Sequence, residues 1–379
     1  VDLDRFDKLL TGVVDAGGSD LHLKEGAKPR IRVDGELMVA ESWPRIEHGE
    51  LGAILAEVAP LHVIERFEET NDADFACSRP GVGRFRVNVF RQRGSVGMVM
   101  RHVTFSVPTI DDLNLPAVVR KLSEETRGLV LVTGPTGSGK TTTLAAMIDH
   151  INRTRSCHII SIEDPIEILH RDRRASVNQR EIGLDSSSFA SAMRAALRQD
   201  PDVILVGEMR DQETVSTALQ AAETGHLVLS TLHTTDAAET VNRVVEFFPY
   251  QQQRQIRSTL ASALKGILGQ RLIASGQGEG RVAAVEVMVT TGRIRDCIMD
   301  PESTSMITEL LAEGRYYGMQ TFDQALADLV QKELITLEAA NAAASRPHDF
   351  KVLLERMGVT DHKGRLRPAV LDQLAKVQN

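Results

Sequence analysis

The residues best suited to chemistry lie in "VTGPTGSGKTTTLAAM" (132–147), where Gly134, Gly139, Lys140 and Thr141 fit G-x-x-x-x-G-K-[ST]. An apolar, strand-like run precedes the pattern and a helical run follows it, which is the context the pattern requires. Its glycines let the backbone wrap so that successive N–H groups point inward, and the helix start adds positive potential. Lys140 is placed to reach the β- and γ-phosphates of a nucleotide, and the Thr141 hydroxyl to ligate Mg²⁺. The spacing therefore predicts an ATP and Mg²⁺ site whose contacts run through Gly134, Pro135, Thr136, Gly137, Ser138, Gly139, Lys140, Thr141 and Thr142.

Carboxylates near such a cradle can order the metal or activate water. "DVILVGEMRD" ends a hydrophobic run at Gly207-Glu208. A carboxylate at the carboxyl end of a strand beside the phosphate loop belongs to the metal's surroundings or acts as a base. "SIEDPIE" offers Glu163, Asp164 and Glu167 after another apolar run, with Pro165 forcing a turn. Residue types alone leave two readings of this segment: a plain polar turn, or a group that takes a proton from the attacking water. "GHLVLSTLH" sets His226 and His233 at opposite ends of a strand-like run, about 23 Å apart at the rise of an extended chain. They cannot serve one atom together. His233, at the carboxyl end, can approach the γ-phosphate, whereas spacing gives His226 a structural or interface role.

The elements that must position these groups follow from periodicity. "GLVLVTG", "HIISIED", "DVILVGE" and "HLVLSTL" are short apolar runs suited to central strands of a parallel sheet covered on both faces. Beyond about residue 250 the pattern reads as helical. Thr321 and Gln324 form a capping box for "FDQALADLVQKEL", and Pro368 could open a last short helix. Residues 1–107 read as a smaller mixed domain. A helix over Leu3–Ala16 ends at Gly17-Gly18, and a hairpin turns at Asp34-Gly35. A second helical stretch covers about 47–69, followed by strand-like "ADFACS", "GRFRVNVF" and "VGMVMRHV". Alternation in "GRFRVNVF" separates Arg84, Arg86 and Asn88 from Phe85, Val87 and Val89, so Arg86 points away from that domain's core. "VPTIDDLNLP", with two prolines and little periodicity, marks the linker.

At 379 residues, two domains are the natural expectation. A net charge of −8 and only 4% aromatic residues argue against a global nucleic-acid field or stacking platform. Cys77, Cys157 and Cys297 lie far apart with no C-x-x-C, so neither a zinc ribbon nor a disulfide framework is expected, and reduced, packed cysteines of a cytosolic protein are. No apolar run approaches the ~20 residues that span a bilayer, so membrane association is expected through a partner and not by insertion. The acidic, amphipathic start does not look like a signal peptide, and the chain opening on Val1 suggests trimming.

"GPTGSGKTTTLAAM", "HIISIEDPIEILH", "MRAALRQDPDVILVGEMRD" and "AAETGHLVLSTLHTTDAAETVNRVVEFFP" resemble the secretion ATPases, specifically the PilT/PilU family of twitching-motility retraction ATPases. The resemblance extends to "GGSDLHLKEGAKPRIRVDGEL", "GRFRVNVFRQRG" and "YGMQTFDQAL", and covers nearly all of residues 1–345. It implies an α/β protein with a PAS-like N-terminal α/β domain (1–107) and a linker (108–116). A RecA-like P-loop ATPase domain (117–350), with a mostly parallel sheet and a helical C-terminal region, and a tail (351–379) complete the chain. It also implies a homohexameric ring in the cytoplasm at the inner-membrane base of the pilus machine. The partners implied there are the pilus platform protein and a second retraction ATPase, with no nucleic acid. Residue by residue, Lys140 and Thr141 fall in the Walker A motif, Glu163 in the acidic "Asp box" and Glu208 in Walker B. His226 and His233 fall in the "His box", which sets His226 among the nucleotide contacts despite the strand between the two. Arg86 and Arg101 are implied to reach the phosphates as the N-terminal domain closes.

The chain departs from the retraction motors' Ala-Ile-Arg-Asn-Leu-Ile-Arg-Glu signature. Its second Arg is Met299 here and its Glu is Asp300, while "NLPAVVRKL", "EIGLDSSSF" and the region after Pro347 look closer to the accessory PilU type. Three rivals stand beside a retraction motor. A pilus-assembly or type II secretion ATPase would bring a tetracysteine zinc insert and a longer N-terminal region. A RecA-core nucleic-acid translocase fits poorly with the net charge of −8. A regulator that binds nucleotide without turnover would not need Glu163 and Glu208.

Overall fold

Phe6, Leu9, Leu10 and Val13 recur at helical spacing and are all buried, which is why Leu3–Asp15 forms helix α1. It stops at Gly17, whose φ of 66° favours glycine. The computed structural model describes residues 3–33, 35–278, 280–361 and 364. Asp34 of the expected turn and Pro368 of the expected last helix lie outside them. The chain divides into two compact units: Val1–Ser106 with Ile166–Leu169, and Val107–Pro165 with His170–Asn379. Ile166–Leu169 return to the first unit through a parallel bridge between Thr104 and Ile168.

The first unit holds β1 (Asp20–Lys24), β2 (Arg30–Val33), β3 (Glu36–Val39), β4 (Asp72–Arg79), β5 (Gly83–Gln92) and β6 (Ser95–Val103). They make one antiparallel sheet in the order β3-β2-β1-β6-β5-β4. The single helical stretch expected near 47–69 is two helices, α2 (Glu50–Val58) and α3 (Leu61–Thr70). Ala59, extended before Pro60, breaks them, as the residue before proline is pushed out of the helical region. Along β5 the buried positions are Phe85, Val87 and Val89, and Arg84, Arg86 and Asn88 take the opposite face.

In the second unit, α4 (Val118–Ser123) precedes β7 (Gly128–Thr133), α5 (Lys140–Thr154), β8 (His158–Glu163), β9 (Ser176–Glu181), α6 (Phe189–Ala196) and β10 (Val203–Val206). Then come α7 (Gln212–Glu223), β11 (Leu227–Leu232), α8 (Ala237–Glu246), α9 (Tyr250–Ala263), β12 (Leu264–Ala274) and β13 (Arg281–Val289). The last helices are α10 (Gly292–Met299), α11 (Ile307–Glu313), α12 (Phe322–Gln331), α13 (Leu337–Ala343) and α14 (Pro347–Arg356), with 3₁₀ turns over Pro301–Met306 and Gly314–Tyr317. The sheet order is β13-β12-β7-β11-β10-β8-β9, parallel except for the β12–β13 pair. β7, β10 and β11 are buried at every position, as central strands covered on both faces must be.

The expectation that the chain turns helical beyond 250 is corrected by β12 and β13, two long strands that extend the sheet past β7. The Thr321–Gln324 capping box is present as read. The expected linker is anchored: Ile110 and Leu115 are buried with Val118, Val119 and Leu122 against β7 and α5. The expected boundary at 350 falls inside α14, whose Phe350 and Leu354 are buried beside Leu326 and Ile335. No described helix is long and apolar enough to cross a membrane.

Candidate active site

β7 ends at Thr133, and the chain turns through Gly134–Gly139 into α5. Gly134, Gly137 and Gly139 all have positive φ (140°, 78° and 87°). A side chain on Gly134 would place Cβ 2.2 Å from the Gln270 carbonyl oxygen, and one on Gly139 would meet the Gln270 amide nitrogen at 2.8 Å. At those two positions the loop has room only for backbone. Lys140 is 8% exposed, and its Nζ donates to the carbonyls of Gly134 (2.8 Å) and Pro135 (3.1 Å). Burial pushes its pKa down, and the negative charge of Glu208 opposes that shift. Ser138 Oγ, buried in the same loop, has no hydrogen-bond partner. A glycine-rich cradle with a helix start, a buried ammonium and an unpaired hydroxyl fits the phosphates of a nucleotide.

The neighbouring strands end at the same edge of the sheet. His233 follows β11, with Nδ1 3.5 Å from Lys140 Nζ and Nε2 3.4 Å from Glu208 Oε1. Its ring thus stands between the ammonium and the carboxylate. Glu208, two residues past β10, also receives Arg210 Nη2 at 2.8 Å on Oε2. Burial alone would raise the Glu208 pKa, but Arg210 and His233 outweigh it and hold the carboxyl below the usual range. Arg210 continues to Asp164, with 3.9 Å between Nη1 and Oδ2. Lys140, His233, Glu208, Arg210 and Asp164 therefore form one chain of contacts, and the Glu208–His233 end lines a cleft of about 610 Å³.

Glu163, the last residue of β8, is buried, and its Oε1 accepts from Ser161 Oγ (2.6 Å) and from Gln179 Nε2 (3.1 Å) on β9. A carboxylate fixed by two donors is more than a solvated turn residue. Among the described residues no cluster of three or more His, Cys, Asp or Glu side chains is suited to a metal. Mg²⁺ takes oxygen from one or two side chains and completes its shell with phosphate and water. The exposed Thr141 hydroxyl and the ionised Glu208 are the oxygens on offer.

Two sets of candidate residues are not part of this chain of contacts. His226 lies at the amino end of β11, where its carbonyl accepts from Gly128 at the start of β7 and its Nδ1 is 3.0 Å from the Ala221 carbonyl. The six-residue strand β11 separates it from the phosphate loop of the same chain. Arg86 and Arg101 belong to the first unit, directly opposite each other on β5 and β6. Arg101 Nε donates to buried Asp20 at 2.8 Å, and Arg86 Nη1 is 3.7 Å from Glu167. Burial would raise the Asp20 pKa, but Ser19 and Arg101 hold it low, so that ion pair is charged.

The sequence reading missed Arg210, Gln179 and Gln270. Arg210 carried a signal, since an arginine two residues after the strand-end carboxylate shares its turn. The two glutamines sit on β9 and β12, strands that the apolar pattern did not reveal.

Residues 100–346 match the family model described as Type II/IV secretion system protein. The chain is 46% identical to the type IV pilus retraction ATPase PilT of Pseudomonas aeruginosa, over 90% of this chain and 99% of that protein. It is 41% identical to the type IV pilus ATPase PilU of the same organism, over 92% and 91%. The fold is similar to the crystal structure of the pilus retraction motor PilT with bound ADP, with a TM-score of 0.82, 45% identity, and coverage of 93% of this chain and 99% of that one.

Proposed function

The chain belongs to the PilT/PilU family of type II/IV secretion system proteins, and from that premise we propose that it is a motor ATPase driving type IV pilus retraction. It binds nucleotide and hydrolyses ATP, withdrawing pilin subunits and powering twitching motility. The working form is a homohexamer at the inner-membrane base of the pilus machine, docked on the platform protein there, with a second retraction ATPase as a further partner.

One observation carries the chemical part: Lys140, His233, Glu208 and Arg210 are joined at the carboxyl edge of the sheet beside the phosphate cradle. The cradle backbone from Gly134 to Gly139, with Thr142 in the first turn of α5, holds the α- and β-phosphates. Lys140 leaves its loop carbonyls to meet the γ-phosphoryl oxygens. Thr141 and Glu208 are the residues that would hold Mg²⁺, which would supply positive charge to the phosphates when bound. Glu163 takes the proton of the attacking water, and His233 bridges Lys140 and Glu208 so that the ammonium and the carboxylate keep their spacing. Arg86 and Arg101 supply further positive charge to the transferring phosphoryl group, from the first unit of the same or a neighbouring subunit.

PilT and PilU are matched over nearly their full lengths, which favours retraction over pilus assembly, type II secretion or nucleic-acid translocation. The test is Mg²⁺-dependent phosphate release by the purified protein. Lys140→Ala should abolish it while the fold survives, because it removes the one lysine of the cradle. Unchanged turnover in a folded Lys140→Ala protein would remove the site from catalysis.

A further inference from the structure

We infer that Gln270 on β12 is the positioning residue that aims the phosphate-binding loop, an inference that rests on the nucleotide site proposed above. Gln270 is 2% exposed, and a buried amide is costly unless its groups are paired. Its Nε2 donates to the Ser138 carbonyl at 2.8 Å, and its Oε1 accepts from Thr143 Oγ1 at 2.8 Å. One side chain therefore ties the end of the loop to the first turn of α5. The register explains why this position can do so. Gly269 pairs with Thr133, the last residue of β7, so Gln270 stands level with the point where the loop begins.

The geometry of the peptide unit turns this tie into an aiming device. The Ser138 carbonyl and the Gly139 N–H share one planar trans peptide and point in opposite directions. Holding the carbonyl against β12 directs the Gly139 N–H away from β12, toward the side of the loop where a phosphate would lie. The same residue also sets the loop's glycine requirement, since the Gln270 backbone oxygen and side-chain nitrogen fill the places that Cβ atoms on Gly134 and Gly139 would need. A merely structural glutamine would pack the sheet. This one fixes the orientation of a phosphate donor.

The experiment measures ADP affinity, the KM and kcat for ATP, and Tm on the full chain. Gln270→Met keeps the bulk and leaves the Ser138 carbonyl without its donor. A misaimed donor to a charged phosphate predicts ADP binding weaker by roughly 10- to 100-fold, with KM rising in step and kcat falling less. The control is Ile267→Val, equally buried on β12 but without contact to the loop by a polar group, which should lower Tm and leave ADP affinity within about 2-fold. Thr143→Val removes one anchor at constant shape and should weaken ADP binding several-fold, so the inference stays testable if Gln270→Met does not fold. ADP affinity within about 2-fold of wild type in folded Gln270→Met, or in Thr143→Val where Gln270→Met does not fold, overturns it. So does an equal loss in Ile267→Val. A wild-type protein that binds no ADP overturns the nucleotide site itself, an outcome distinct from these.

Discussion

Glu208 and Glu163 stand in different surroundings, and that difference sets what each replacement should do. Glu208 is held ionised by Arg210 and His233 beside the cleft, whereas Glu163 is buried and its Oε1 accepts from Ser161 and Gln179. Glu208→Gln keeps shape and loses charge, so bound ATP should be trapped and hydrolysis should fall by at least ~10² if the group orders the metal or activates water. Glu163→Gln should be comparably slow with ATP binding retained. Wild-type turnover in either variant, measured alongside nucleotide affinity, would reduce that carboxylate to a structural role. Much of this cluster was legible in the sequence, because strand-end carboxylates beside a phosphate-loop pattern have few other uses. For Glu163 the residue types left a plain turn equally open, and the donors that fix it come from Ser161 and from Gln179, sixteen residues on. The separation of His226 from His233 was legible too, because an extended six-residue strand lies between them.

Among the elements, the four central strands were readable because burial on both faces demands unbroken apolar runs. β12 was not readable. It carries Gly266 at a close approach to the Met288 carbonyl, then Gly269, and Gln270 at the loop, so glycines and a polar residue interrupt its apolar pattern. β13 hides a further exception, Glu286, which is buried opposite Gly269 and accepts from the backbone N–H of Ala237 at the start of α8 (2.8 Å). Burial raises its pKa from 4.5 to about 7, with Asp236 adding to the shift and Arg271 opposing it. The unfolded chain releases this proton near 4.5 and the folded chain near 7. Between those values the unfolded state binds fewer protons, so this group's contribution to stability falls as pH rises through the window and is lowest above it. Glu286→Gln keeps an acceptor for Ala237 and cannot ionise. Its Tm relative to wild type should therefore rise between pH 5 and pH 8, by an amount equivalent to roughly 2–3 kcal/mol. A Tm difference that does not change with pH would contradict the buried, titrating carboxylate.

At the scale of the whole molecule, the cradle lies in one unit and Arg86 and Arg101 in the other, and the proposal has the two act together on one phosphoryl group. Cations brought to a transferring phosphoryl group in this way are worth roughly 10³–10⁵ in rate. Arg86→Ala and Arg101→Ala should each lower turnover while leaving ATP binding largely intact. Specific activity should climb with protein concentration across the range where rings form. Mixing an arginine variant with Lys140→Ala should restore part of the activity if the groups act between subunits, and no recovery in mixed rings verified by mass would place them within one subunit or outside catalysis. The division into two units could be read from the switch between an antiparallel-type pattern and alternating strands and helices. The return of Ile166–Leu169 to the first unit could not, because that pairing is made through backbone groups at Thr104. The central claim, that ATP turnover by this chain retracts pili, is tested most directly in the native host by replacing the chromosomal copy with Lys140→Ala and scoring surface pili and twitching together. The account predicts pili retained or increased with twitching lost; cells without pili, or cells that twitch normally, would contradict it.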